Sequence, residues 1–513
     1  MRTARRIVAA VAAVVGLGLA AGVGWAVNFV VSYQQLDRST VGRLDFSQPL
    51  AVPPLAESTT DEHGRKKFHL TIQSGQKEFL PGKQTATWGI NGTYLAPTVR
   101  AQRGDTVVFD VENGLSETTT LHWHGMHLPP EMDGGPHQMI RPGTIWSPTW
   151  TIDQPASTMW FHPHMHQQTA MHVYRGVAGM FLVDDDAGPQ LPDEYGVNDI
   201  PLILQDKNFH DDGSLDTRHA TFTQQIAGAG NVGILGDTVL VNGTYNPHLE
   251  VRHSLVRLRI LNASNARTYN LGFPDDRPLT VIGTDGGLLE RPVDLRRLQV
   301  SPGERFEVLV ALGAGDRPVL RSFPADLGSG FPLRRFAGAD DTLDILQLRA
   351  AEQLASAIEV PPQLVTVEQP DVTGAEERSF ELLGVSINGR TMDMSRVDGV
   401  FTAGSTEVWT VINTDEAPHN FHVHGVSFQV LDIGGEPVPA HLAGLKDTVY
   451  LPPGTPLRIA VTFEDYTSTT WPYMLHCHLL RHEDQGMMIQ FLVVQPGEED
   501  SVSRVLSRHA HHN

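Results

Sequence analysis

The sequence predicts an all-β protein made of three tandem copies of one module, each a sandwich or barrel of short strands. Two observations predict it. Apolar and polar residues alternate over short runs between turn residues, as in 106–111, 255–261 and 305–310. A period of two marks strands with one buried face, and frequent turns between such runs indicate a sandwich or barrel. Three marks also recur in one order. Asn91-Gly92, Asn242-Gly243 and Asn388-Gly389 each follow an apolar residue. A strand ending in Asn follows each: Val111-Glu112-Asn113, Ile260-Leu261-Asn262 and Val411-Ile412-Asn413. A Pro-Gly turn then closes each set, at Pro142-Gly143, Pro302-Gly303 and Pro453-Gly454. Ordered sets of this kind point to duplication, and 513 residues is a length suited to about three domains.

In chain order, Arg2, Arg5 and Arg6 precede an uncharged stretch, 7–36. A basic start followed by an apolar run is a targeting pattern, so residues 1–36 read as a signal peptide or an N-terminal membrane anchor. The run 7–31 is long enough to cross a bilayer as a helix. Gly18-Leu19-Ala20 is a candidate cleavage site, and Arg5-Arg6 weakly resembles a twin-arginine signal. The expected location is outside the cytoplasm, in the periplasm or on the outer face of the cytoplasmic membrane. The modules are expected over 60–187, 198–350 and 376–497, with linkers rich in acids or prolines at 184–198 and 350–377. Residues 498–513 read as a flexible tail carrying His509, His511 and His512. A formal charge of −21 argues against nucleic acid as a partner. One cysteine in an exported chain means that cores, not disulfides, hold the fold.

That cysteine carries the chemistry. Cys477 lies in His476-Cys477-His478-Leu479-Leu480-Arg481-His482-Glu483-Asp484-Gln485-Gly486-Met487. A thiolate, two imidazoles and a weak axial thioether are the donor set of a blue-copper electron-transfer site, which here needs one further His from elsewhere. A buried core cysteine explains the thiol but none of its neighbours. His122-Trp123-His124, His162-Pro163-His164, His422-Val423-His424 and His476-Cys477-His478 supply eight more imidazoles, leaving His419, Cys477, His482 and Met487 as a separate set. Alternate His can simply stand on one strand face, but that does not explain four pairs, one of them flanking the only thiol. In a strand, Cys477 faces one way and His476 and His478 the other, which puts a copper on one side and a multi-copper cluster on the other. Only the first and third modules carry the motifs, so the cluster is expected between them, with the middle module as spacer and support.

With these segments in this order, the chain resembles the multicopper oxidases: laccases, ascorbate oxidase, bilirubin oxidase and the bacterial cuprous oxidases of copper efflux. The resemblance covers nearly all of the chain after the N-terminal segment. It implies three cupredoxin-type Greek-key β-barrels and four copper ions. By motif, His419, Cys477, His482 and Met487 match the type 1 copper, and His122 and His422 the type 2 copper. His124, His162 and His478 match one type 3 copper; His164, His424 and His476 match the other. No ligand position is substituted. The implied reaction draws single electrons from a reducing substrate and passes four to O₂, giving two waters. Asp133 and Glu483 match positions implicated in proton delivery in cuprous-oxidase relatives.

Stretches 283–289, 303–310 and 476–488 look most like the cuprous oxidases, which implies oxidation of cuprous ion in copper detoxification. In those relatives a Met and Asp cluster over the type 1 site receives the ion. Asp415 falls four residues before His419, as a matching acid should, but Ala417 stands where a soft ligand is expected. Met392 and Met394 are candidate thioethers, although alternate Met residues are also ordinary core fillers. Laccase-type oxidation of phenols and aromatic amines is the alternative. A copper-buffering protein has no use for eight cluster imidazoles. A structural cupredoxin, like the copper-free relative linked to cell division, is expected to lack the Cys and several His.

Overall fold

The computed structural model describes residues 29–30, 33, 38–186, 188–218 and 232–506. Most of segment 1–36, and His509, His511 and His512, lie outside the described residues. Among those described, no helix is long and apolar enough to cross a membrane. Six sheets form three two-sheet sandwiches in chain order: six and four strands, then seven and six, then six and five. The protein is all-β with three cupredoxin-like modules.

The repeated marks occupy equivalent places. In each module a parallel strand pair ends on the repeated Asn. Lys66–Leu80 pairs with Thr106–Asn113, Asp199–Lys207 with Leu255–Asn262, and Glu376–Leu383 with Thr406–Asn413. The Asn amides then do the same work three times. Asn113 Nδ2 donates to Ile140 O and Glu117 O, Asn262 Nδ2 to Val300 O and Arg267 O, and Asn413 Nδ2 to Leu451 O and Ala417 O. The Pro-Gly turns dock on the same residues, Gly143, Gly303 and Gly454 each donating N–H to the Asn carbonyl. The Asn-Gly turns are equally alike. Asn91, Asn242 and Asn388 all have φ of 50–52° and each accepts and donates across to the module's first strand. Asn tolerates that left-handed conformation because its amide bonds locally.

Each sandwich closes on its own core, around Phe109, Trp123 and Phe181 in the first, Leu258, Val281 and Phe306 in the second, and Trp409, Phe421 and Phe491 in the third. The alternation in 255–261 and 305–310 suggests a solvated face. The structure differs: Arg257, Arg259, Arg305 and Glu307 are all buried. That face of the middle module packs on the first module, where Thr158 Oγ1 donates to Glu307 Oε1 (2.6 Å) and Arg259 Nη1 donates to Thr158 Oγ1 (3.0 Å). The charges are tolerated because Arg259 also pairs with Asp199 at 2.7 Å, and Arg257 with Glu307.

Candidate metal centre

Three chain segments of the third module converge around Cys477. Strand Tyr473–His476 pairs antiparallel with His419–Val423, setting His422 opposite His476, and with Met488–Val494. The strand ends at His476, one residue short of the thiol. Cys477 N–H instead donates to Met487 O (3.2 Å), and Met487 N–H donates to His482 O (2.9 Å). The short helix Leu480–Asp484 carries His482 back over the thiol. Cys477 Sγ lies 3.5 Å from His419 Nδ1 and 3.5 Å from His482 Nδ1. All three residues and Met487 are buried. Burial alone would raise the Cys477 thiol, but the His482 and His419 rings outweigh it and bring it to about 5. A thiolate between two imidazole nitrogens is a soft-metal site.

On the other side of Cys477, eight imidazoles meet in a buried space. Strand His122–His124 pairs with Ser157–His162, putting His122 opposite His162 and His124 opposite Trp160. His164 Nε2 and His424 Nε2 lie 3.1 and 3.2 Å from His476 Nε2, and His478 Nε2 lies 3.4 Å from His162 Nε2. Burial, then the neighbouring rings, hold His162, His164, His424, His476 and His478 well below the ordinary imidazole range. They are therefore neutral, each with one nitrogen lone pair.

The acids flagged in the sequence sit unequally. Asp133 O faces His122 Nδ1 (2.9 Å), and Asp133 Oδ2 faces His424 Nδ1 (2.9 Å). Its neighbour Gly134 has φ +77°, and a Cβ there would fall 1.8 Å from Leu121 O, so only glycine lets this loop touch the His122 strand. Glu483 is buried, with Oε1 3.3 Å from His164 Nδ1 and Oε2 3.5 Å from His476 Nδ1. Burial, then the Asp484 charge, push its carboxyl well above the usual range. Asp415 Oδ2 lies 3.7 Å from His419 Nε2, with the carboxylate 27% exposed. Met392 N–H donates to Gly486 O (2.9 Å), seating its backbone on the Met487 loop, while Met392 and Met394 are both half-buried residues.

Three residues of the site escape sequence reasoning. Asp447 accepts from Arg305 and faces His124; Arg305 comes from the middle module. Asn420 accepts His478 N–H (2.6 Å) and donates to Pro302 O (2.7 Å), tying the His-Cys-His turn to the middle module.

Comparison with known proteins agrees with this geometry. Multicopper oxidase family models match 71–188, 199–317 and 359–497. A multicopper oxidase of Staphylococcus haemolyticus is 34% identical over 86% of this chain and 91% of its own. The chain belongs to the multicopper oxidase family. Cell division protein FtsP of Escherichia coli is also similar, 37% identical over 87% of this chain and 93% of its own. Among solved structures, a laccase-like multicopper oxidase from the lignin-degrading bacterium Ochrobactrum sp. is 38% identical, covering 87% of this chain and 100% of that one at a TM-score of 0.77. As a multicopper oxidase the protein is a copper-dependent oxidoreductase, and its donor sets fit copper. With their Nδ1–H groups directed to carbonyl or carboxylate oxygens, His122 Nε2 and His422 Nε2 are buried without a partner. His424 Nε2 and His476 Nε2, each with its Nδ1 directed to an oxygen, lie 3.2 Å apart, and two bare nitrogens at that distance repel unless a cation lies between them. A tetrahedral ion bonded to imidazole at about 2.0–2.1 Å spaces its ligands about 3.3–3.4 Å apart.

Proposed function

We propose that this multicopper oxidase holds four coppers and oxidises cuprous ion at the expense of O₂, which leaves as two waters. The sets are His419, Cys477, His482 and Met487 for type 1; His122 and His422 for type 2; and His124, His162, His478 and His164, His424, His476 for the type 3 pair. The observation that carries this reading is the thiol of Cys477 facing two imidazoles while its neighbours His476 and His478 join the eight-histidine cluster. When bound, the coppers supply one-electron acceptance from substrate and four-electron delivery to O₂. The chain's residues do the rest. Cys477 links the two sites through its own backbone, the shortest covalent route from donor to cluster. His419 approaches the surface through Asp415, whose partly exposed carboxylate attracts a cation toward that ring. Glu483 holds a proton at Oε beside His164, and Asp133 fixes the rings of His122 and His424 and stands as a second acid at the cluster. The modules extend over 60–187, 198–350 and 376–497. The protein is exported, and the apolar run 7–31 attaches it to the membrane or is removed with the signal.

Phenol or aromatic-amine oxidation is the second reading. It is favoured by Ala417 at the expected soft-ligand position and by the similar Ochrobactrum protein, a laccase-like oxidase with activity towards lignin model compounds. Steady-state O₂ uptake with cuprous ion and with a phenol, on one copper-loaded preparation, separates them. A higher kcat/KM for cuprous ion is expected; a clear preference for the phenol assigns the laccase role.

A further inference from the structure

The middle module carries an aromatic cluster that the reaction does not use, around the short helix Leu333–Phe336. We propose that this face rests on the surface of a lipid bilayer and holds the enzyme there in one orientation. The proposal rests on run 7–31 being kept as a membrane attachment.

Phe331 leads into that helix and is 72% exposed, the only aromatic among the exposed large apolar residues described. Phe29 and Tyr33, at and just past the end of the apolar run, pack against it. The ring centres of Tyr33 and Phe29 lie 5.0 and 6.5 Å from that of Phe331, and 5.9 and 6.4 Å from that of Phe336. Phe336 is buried in this contact, whereas Phe331 stays open and Val30 is 50% exposed. The apolar run therefore meets the module at a patch that is itself apolar and uncovered. Tyr33 follows residue 31 by two positions, a span of at most about 7 Å. With run 7–31 in the bilayer, Tyr33 and the Phe331 ring it touches stand at headgroup level.

The polar side chains around the patch suit that level. Arg335 Nη1 donates to Tyr33 O (3.1 Å), and its guanidinium lies 4.7 Å from the centre of the Tyr33 ring. Arg334 and Arg335 both pair with Asp340, at 2.6 and 3.4 Å, yet their side chains keep 45% and 26% of their exposure. Each can therefore also meet a headgroup phosphate. Aromatic rings with arginines beside them are what a membrane–water interface selects, and anionic headgroups add attraction for the cations. The face is also tied to the donor site. Tyr450 Oη donates to Leu327 O (2.7 Å), on the loop before Phe331, and Tyr450 stands opposite Asn420, the neighbour of His419. Orienting the face on the membrane thus orients the strand that carries His419.

The test uses the full chain reconstituted into vesicles of phosphatidylcholine and phosphatidylglycerol with brominated acyl chains, which quench tryptophan fluorescence only at close range. Phe331→Trp places a reporter on the face, and its exposure lets the larger ring in without repacking. Ile145→Trp, at a position 55% exposed on the first module, is the control. Wild type, with eight tryptophans of its own, Trp25 of the apolar run among them, gives the baseline. The wild-type chain should sediment with the vesicles. Phe331→Trp should then lose more fluorescence than wild type, and Ile145→Trp should lose no more. Equal added quenching of the two variants, or none at Phe331→Trp in a chain that sediments, overturns the proposed face and leaves the attachment standing. A wild-type chain left in the supernatant refutes the attachment reading, and the proposed face with it.

Discussion

Asp415→Ala asks whether cuprous ion is captured beside His419. Asp415 Oδ2 lies 3.7 Å from His419 Nε2 and the side chain keeps 27% of its exposure, so the carboxylate is next to a type 1 ligand and reachable from water. Two unit charges about 4 Å apart interact by about 4 kcal/mol at an effective dielectric near 20. Exposure and screening reduce that to about 1–3 kcal/mol, or roughly 5- to 150-fold in kcat/KM. The loop itself should survive. Asp415 Oδ1 accepts N–H from Glu416 (2.8 Å) and Ala417 (3.2 Å), and Oδ2 from Gly384 (2.9 Å). At this exposure water can replace the lost oxygens. The assay is kcat/KM by O₂ uptake, for cuprous ion and for a phenol, with the blue absorption as a control on the loop. The loss should fall on cuprous ion and largely spare the phenol. Equal losses for both donors, with a shifted blue band, would show that Asp415 only supports the loop and would refute the capture argument.

Cys477→Ser replaces a soft thiolate by a hard hydroxyl; the blue absorption and O₂ uptake should both vanish while cluster copper stays bound, and a variant that keeps its colour would contradict the type 1 assignment. Asn262→Ala deletes two buried donations, to Val300 O and Arg267 O, and the acceptor of Ser264 N–H. It should cost about 2–4 kcal/mol in denaturant unfolding, and an unchanged midpoint would contradict the stapling role. Acid should weaken the seam between the first and middle modules. Burial would raise the Glu307 carboxyl, but Arg257 and Arg259 bring it from 4.5 to about 2. A depressed acid stabilises the fold above its unfolded pKa, and this contribution, about 3 kcal/mol, is lost as pH falls from about 4.5 toward about 2. Glu307→Gln should be less stable at neutral pH and flatter across that window; undiminished acid sensitivity would point to other carboxylates.

What the sequence made legible was local. His-x-His pairs and the Cys477 loop are read within a dozen residues, but strand alternation carries only part of the geometry, because the strands end at His162, Val423 and His476, inside three of the four motifs. The turn marks were legible because one hydrogen-bond pattern recurs three times. Arg305 and Asp447 were not, because their pairing spans 142 residues and joins different modules. Arg305 and Glu307 alternate with apolar residues, as they would on a solvated strand face, and only the docking of another module turns that face inward. Asp447 sits in Leu445-Lys446-Asp447-Thr448, where a Lys-Asp pair directly before an apolar strand was the one available signal.

The central claim is that electrons taken singly at one site reach O₂ four at a time at another. It is tested most directly by the stoichiometry of the copper-loaded full chain, with cuprous ion supplied in known amount and O₂ and hydrogen peroxide both measured. Four cuprous ions and four protons per O₂ balance to four cupric ions and two waters, so a ratio of four with no peroxide is expected. A ratio of two, with peroxide accumulating, would contradict it.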